Sequence, residues 1–129
     1  MAPMSIPTKP LDMEALLIAG LSSVEDTFNV KPERAKPYRI FVLRADLQQK
    51  VTPISRYCRV GVSAWSVRAD GSSDLADAFD LAAAGNGWFE NNVAGVILSA
   101  DVESGPSRVT DPVTKLEYLY STVLLEVAV

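Results

Sequence analysis

Asp70, Asp74 and Asp77 fall within eight positions of the stretch RADGSSDLADAF, residues 68–79, around a Gly-Ser-Ser turn. Three carboxylates this close suggest a calcium loop, an acid-base pair or the front of a helix. A calcium loop needs oxygen ligands at alternate positions, glycine at the sixth and a distant bidentate glutamate, whereas here the glycine directly follows the first aspartate. An acid-base pair needs burial to push two carboxyl pKa values apart, which a solvent-facing aspartate series does not offer. The helix reading accounts for every residue. Ser72 or Ser73 is the expected N-cap, and Asp74 sits where the helix dipole favours an anion. At roughly 100° per residue, Leu75, Ala76, Ala78, Phe79, Ala82 and Ala83 share one arc, which leaves Asp77 and Asp80 on the wet face. A cap followed by a solvated face is therefore favoured over a metal or catalytic site.

Other reactive groups are few. The chain has no histidine and one cysteine, which removes disulfide frameworks, paired-cysteine and histidine zinc sites, and serine or cysteine nucleophiles activated by imidazole. Cys58, in a strand-like run, reads as a small apolar residue rather than a reactive thiol. The glycine cluster of GNGWFENN follows a helix, whereas a phosphate-binding loop precedes one. No catalytic residue, cofactor or metal site is assigned.

Lys+Arg 12 against Asp+Glu 16 leaves a net charge of −4, the wrong sign for a domain that binds nucleic acid by releasing phosphate counterions. Arg56, Arg59 and Arg68 lie in one stretch and could share an edge, but a solvated strand face is the favoured reading. No run approaches the length of a signal peptide's apolar core or a membrane span, so a soluble, cytoplasmic product is expected.

The elements that position these residues follow from periodicity. Residues 1–11, rich in proline, form an extended N-terminal arm, and 12–129 form a single domain. Met13, Leu17, Leu21, Val24 and Phe28 share one helical face, capped by Asp12 or Thr8, and the proline-bearing segment 29–37 ends the helix. Residues 38–46 read as a strand buried on both sides near Ile40 to Leu43, followed by a polar connection, 46–55. In 56–69, Cys58, Val60, Val62 and Ala64 form the core face, with a kink near Gly61. The second helix ends at Gly85 as C′ residue, with Trp88 and Phe89 closing its end onto the sheet. A strand runs from 93 to about Val102, a turn follows at Ser104-Gly105-Pro106, then a short extended piece. The final run alternates Leu119, Val123, Leu125 and Val127 against Tyr118, Tyr120, Thr122 and Glu126, the pattern of a half-buried antiparallel strand. The expected architecture is a two-layer α+β domain of order α-β-β-α-β-β, with a mostly antiparallel four-stranded sheet and both helices on one face.

Three stretches give the chain a family resemblance: the arginine-bearing strand running into an Ala-rich helix (RYCRVGVSAWSVRADGSSDLADAFDLAAA), the segment SGPSRVTDP, and the terminal strand YLYSTVLLEVAV. Together they resemble the tail terminator, or tail-completion, proteins of long-tailed, siphovirus-type phages of actinobacteria, across roughly residues 12–129. The resemblance implies an α+β fold and a non-enzymatic virion protein assembled in the host cytoplasm. Such a protein forms a ring, usually sixfold, that caps the head-proximal end of the tail tube. Implied partners are other copies of the chain, the major tail tube protein and a head-completion or connector protein, with DNA only as passing cargo. An acidic surface suits a ring that must not retain DNA. The resemblance carries no catalytic or cofactor motif. Candidate subunit or tube contacts are Lys50 in the 46–55 connection, Leu81 on the acidic side of the second helix, and Tyr118, Tyr120 and Thr122 on the last strand. The alternatives are another head-tail connector or minor tail protein, or a small ligand-binding or enzyme domain using a cleft between helices and sheet.

Overall fold

The computed structural model describes residues 13–52 and 54–128, and for 47–52 it describes the backbone alone. The expected arm, 1–11, and the caps proposed at Thr8 and Asp12 lie outside the described residues. The elements are α1 (Met13–Leu21), β1 (Thr27–Phe28), β2 (Tyr38–Thr52), β3 (Ser55–Val67), α2 (Leu75–Asn91), β4 (Ile97–Thr110) and β5 (Glu117–Ala128). They build an α+β fold on a mixed five-stranded sheet of order β1-β2-β3-β5-β4. The pairs β2–β3, β3–β5 and β5–β4 are antiparallel, and β1 joins β2 in parallel. Because β3 and β4 run the same way, a tight turn cannot link them, and α2 supplies the crossover. No helix among the described residues is long and apolar enough to cross a membrane.

The alternation expected for the central strands is present. Cys58, Val60, Val62 and Ala64 of β3 and Leu119, Val123, Leu125 and Val127 of β5 are buried with Phe41 and Leu43 of β2. Onto this face α1 contributes Met13, Leu17 and Leu21, and α2 contributes Ala78, Leu81, Ala82 and Phe89, so both helices cover the same side. Ile40, Phe41 and Leu43 are fully buried, with Ile40 facing a second, smaller cluster on the opposite side.

Several expectations are corrected. The first helix stops at Leu21 rather than continuing to Phe28. Ser23 turns its hydroxyl back onto the Gly20 carbonyl, the local competition with helical bonding that disfavours serine inside helices. Phe28 then enters β1, in register with Val42, which makes the sheet five-stranded. The polar connection is instead the end of a long hairpin: β2 runs to Thr52 and β3 starts at Ser55, with register shifts between Leu47 and Thr52. The turn expected at Ser104-Gly105-Pro106 is part of β4, taken up as irregularities in register between Val102 and Ser107. An edge strand tolerates this, since proline's missing N–H costs no ladder bond on the open side.

The second helix is longer than expected and rotated. Gly85 and Gly87 lie inside it rather than ending it. Gly85 passes so close to Phe41 that a Cβ there would come within 2.8 Å of the ring, so close helix-sheet packing offsets glycine's poor helix propensity. The helix ends where the Asn92 side chain donates to the Trp88 carbonyl, 2.7 Å away. The buried stripe is Ala78, Leu81, Ala82, Gly85 and Phe89, whereas Phe79, Ala76 and Ala83 face out. Phe89 closes onto the sheet as expected, while Trp88 turns sideways against Gly20 of α1.

Candidate functional site

The three aspartates of the 68–79 stretch do three separate jobs. Asp70 accepts the Ser72 amide at 2.9 Å and the Ser72 hydroxyl at 2.6 Å, and these bonds hold its carboxyl below the ordinary value. Asp74, not Ser72 or Ser73, is the N-cap, accepting the Asp77 amide at 3.1 Å. Ser73 is engaged elsewhere, its hydroxyl accepting the Glu117 amide of β5. Among the described residues no cluster of three or more Asp, Glu, Cys or His side chains is arranged to hold a metal ion.

Asp77 lies in a contact absent from the sequence reading. Its Oδ2 accepts the Ser66 hydroxyl at 2.6 Å and Arg39 Nε at 2.7 Å, while Arg39 Nη1 reaches Glu25 at 2.9 Å. Arg39 and Ser66 are direct partners in the β2–β3 register, so both rise from the helix side of the sheet under the first turn of α2. The Ser66 hydroxyl first, then Arg39, outweigh burial and lower the Asp77 pKa. Burial works against the Arg39 charge, but Asp77 and Glu25 outweigh it and raise the guanidinium above its ordinary value. The group lines a cleft of about 520 Å³, where Arg34 pairs with Asp26 at 3.1 Å and Arg68 approaches Asp74 at 3.6 Å. Each guanidinium here faces an acid of the same chain. An aspartate held ionised is the reverse of a general acid near neutral pH, so the arrangement acts as a clasp joining β2, β3, α2 and the turn before β1.

The three arginines of the central stretch do not form one edge. Arg59 sits on the face away from the helices in a two-pronged bond to Glu103, at 2.9 and 3.2 Å. Arg56 alternates to the opposite face, and Arg68 follows the strand end, its guanidinium on Ser72 and the Ser73 carbonyl. Cys58 is fully buried, and burial first, then Asp46 and Glu14, push its thiol up to about 11, as expected for an inert core cysteine.

The candidate contact residues separate sharply. Leu81 is 1% exposed in the core under α2, which corrects its placement on an outer surface: the helix is turned so that Leu81 faces the sheet. Lys50 lies on β2 opposite Arg56, and its side chain is outside the described residues. Tyr118 is half-buried, stacked on Trp65 with ring centroids 4.2 Å apart and planes 20° off parallel. Tyr120 and Thr122 do share an outer surface. Tyr120 is 38% exposed and lays its ring over Gly61, where any Cβ would collide with the phenol, and Thr122 is hydrogen-bonded to Ser104. Arg44, Asp46, Tyr57, Arg59 and Glu103 extend this surface across four strands, and among the described residues no helix covers it. Tyr57 and Arg59 were legible as outward by alternation with Cys58 and Val60. No protein-family model matches the chain, and no curated protein matches it.

Proposed function

We propose that the chain is a structural virion protein of the tail-terminator type. Its subunits close into a sixfold ring on the head-proximal end of the tail tube, end tail polymerisation and provide the joint to the head-completion complex. The open half of the sheet's outer face carries this reading. Tyr57, Arg59 and Tyr120 stand there on strands with no helix above them among the described residues, and tyrosine and arginine are enriched in protein interfaces. A ring requires one surface of a subunit to meet a different surface of the next, with a rotation that closes. The tube protein occupies one side of the ring and the connector the other, with DNA as passing cargo.

The test is native mass by light scattering across a wide concentration range. Six copies of the 13.9 kDa chain give a closed species of about 83 kDa that does not grow with concentration. A monomer at every concentration, still monomeric when mixed with tail tubes, overturns the reading.

A further inference from the structure

On the far side of the sheet from the helices, near the start of β2, Tyr38, Ile40, Trp65 and Val67 form a buried cluster with Phe28, Val42, Leu116 and Tyr118 packed around it. Above it lies Lys31, from the irregular segment between β1 and β2. Its Nζ is 5.3 Å from the Tyr38 ring centroid and 4.9 Å from that of Trp65, so one ammonium lies within cation–π reach of two rings. We propose that Tyr38 and Trp65 form a recognition site for an organic ammonium group, and that the protein's own Lys31 occupies it in the free chain.

Four observations support a site rather than ordinary packing. The rings are pre-positioned, since Trp65 is 5% exposed and clamped from the side by its stack on Tyr118. The Trp65 indole N–H is buried without an acceptor among the described residues, and since an ammonium carries no acceptor, only a water entering with it can pair this donor. A solvent-connected cavity of about 370 Å³ runs alongside, lined by Tyr38, Thr114 and Leu116 and by the charged Lys31, Glu33, Arg34 and Lys36, so a cation has an approach in which Glu33 is set against Arg34 and Lys36. Lys31 has no ion pair among the described residues, and its segment is held by modest contacts: its own ring contacts, Arg34 over Phe28 at 5.4 Å, and the Arg34–Asp26 pair. An ammonium stacked on aromatic faces with an acid nearby is the chemistry that binds methylated amines. A resident lysine lowers the apparent affinity for any competing cation by the fraction of time it occupies the rings. The site takes a quaternary or methylated amine, free in solution or on a partner's side chain, and it stands independently of the ring reading.

The experiment follows the Trp65 indole N–H resonance, assigned by Trp88→Phe, in the wild-type chain and in Lys31→Ala. Each is titrated with tetramethylammonium chloride, with a short acetylated peptide carrying one trimethyllysine, and with sodium chloride as the ionic-strength control. Lys31→Ala is expected to bind tetramethylammonium about tenfold more tightly than the wild type, with the Trp65 resonance saturating and sodium chloride silent. Adding Tyr38→Leu to Lys31→Ala abolishes the response. Tighter binding of the peptide than of the free cation identifies a partner's side chain as the ligand, and equal binding identifies a small amine. Lys31→Gln, which keeps the first two methylenes of the lysine stem and removes its charge, is run in parallel as a second unplugged variant. A folded variant whose Trp65 resonance follows sodium chloride and neither ammonium overturns the proposal, as does wild-type affinity equal to that of both variants.

Discussion

On the helix side of the sheet Phe41, Leu43, Val60 and Leu125 are fully buried, whereas on the other side Tyr57 and Tyr120 each keep 38% of their surface exposed. Strands β3 and β5 supply both sets, from alternating positions. The helix side is closed by two helices and clasped at one end by Arg39, Asp77, Ser66 and Glu25. Among the described residues the far side is closed near Trp65, under Lys31 and the residues leading into β5, and is uncovered from Gly61 toward the hairpin. The contrast places the larger core on the first face, and on the function proposed above the second is the one that meets other molecules.

The sharpest way to break this division is Leu81→Ala, which removes a large side chain from under α2. It is expected to cost about 2–5 kcal/mol in urea unfolding. A cost near zero would return Leu81 to the surface and undo the helix rotation described above.

Asp77→Asn probes the clasp and has a smaller, pH-dependent effect. Because the folded state lowers the Asp77 pKa below its ordinary 3.8, the aspartate stabilises the fold above that value, and the contribution fades as pH falls through the folded pKa. The stability gap between wild type and Asp77→Asn should therefore be widest near neutral pH and shrink on acidification below the ordinary 3.8. A gap independent of pH would mean that the charge of Asp77 contributes nothing.

Tyr120→Ala should be the mildest for the monomer, about 1 kcal/mol or less, because the side chain is part-exposed and fills no core space. Its effect should appear in association, as a fall in native mass at a given concentration. Unchanged mass together with a large loss of monomer stability would reverse the assignment of the two faces.

Much of the fold was legible from spacing. The alternation in β5 and in Cys58 to Ala64 of β3 correctly separated inward from outward residues, because a strand's side-chain period of two leaves no freedom once one face is buried. The α2 stripe was misread because alanines carry little directional signal and Phe79 pulled the apparent apolar arc toward solvent. The small residue that set the rotation was Gly85, visible only against the Phe41 ring. Phe28 matched a helical spacing by coincidence, and its true place depended on Val42 lying beside it. Lys31 gave no sign of its two rings, since Tyr38 and Trp65 are far apart along the chain and meet only through the β2–β3 register.

By itself, then, the sequence determined the two helices and the four long strands, though not their ends, the inward sides of the central strands, the absence of histidine chemistry and the burial of its one cysteine. Those properties depend on composition and on local periods of two and 3.6 residues. Tertiary structure decided which side of α2 faces the sheet, that Asp77 leaves the wet face to join Arg39, and that Leu81 is core while Tyr120 is surface. It also brought Lys31 onto a pair of aromatic rings. Each of these turns on contacts between residues distant in the chain, whose geometry no local pattern encodes.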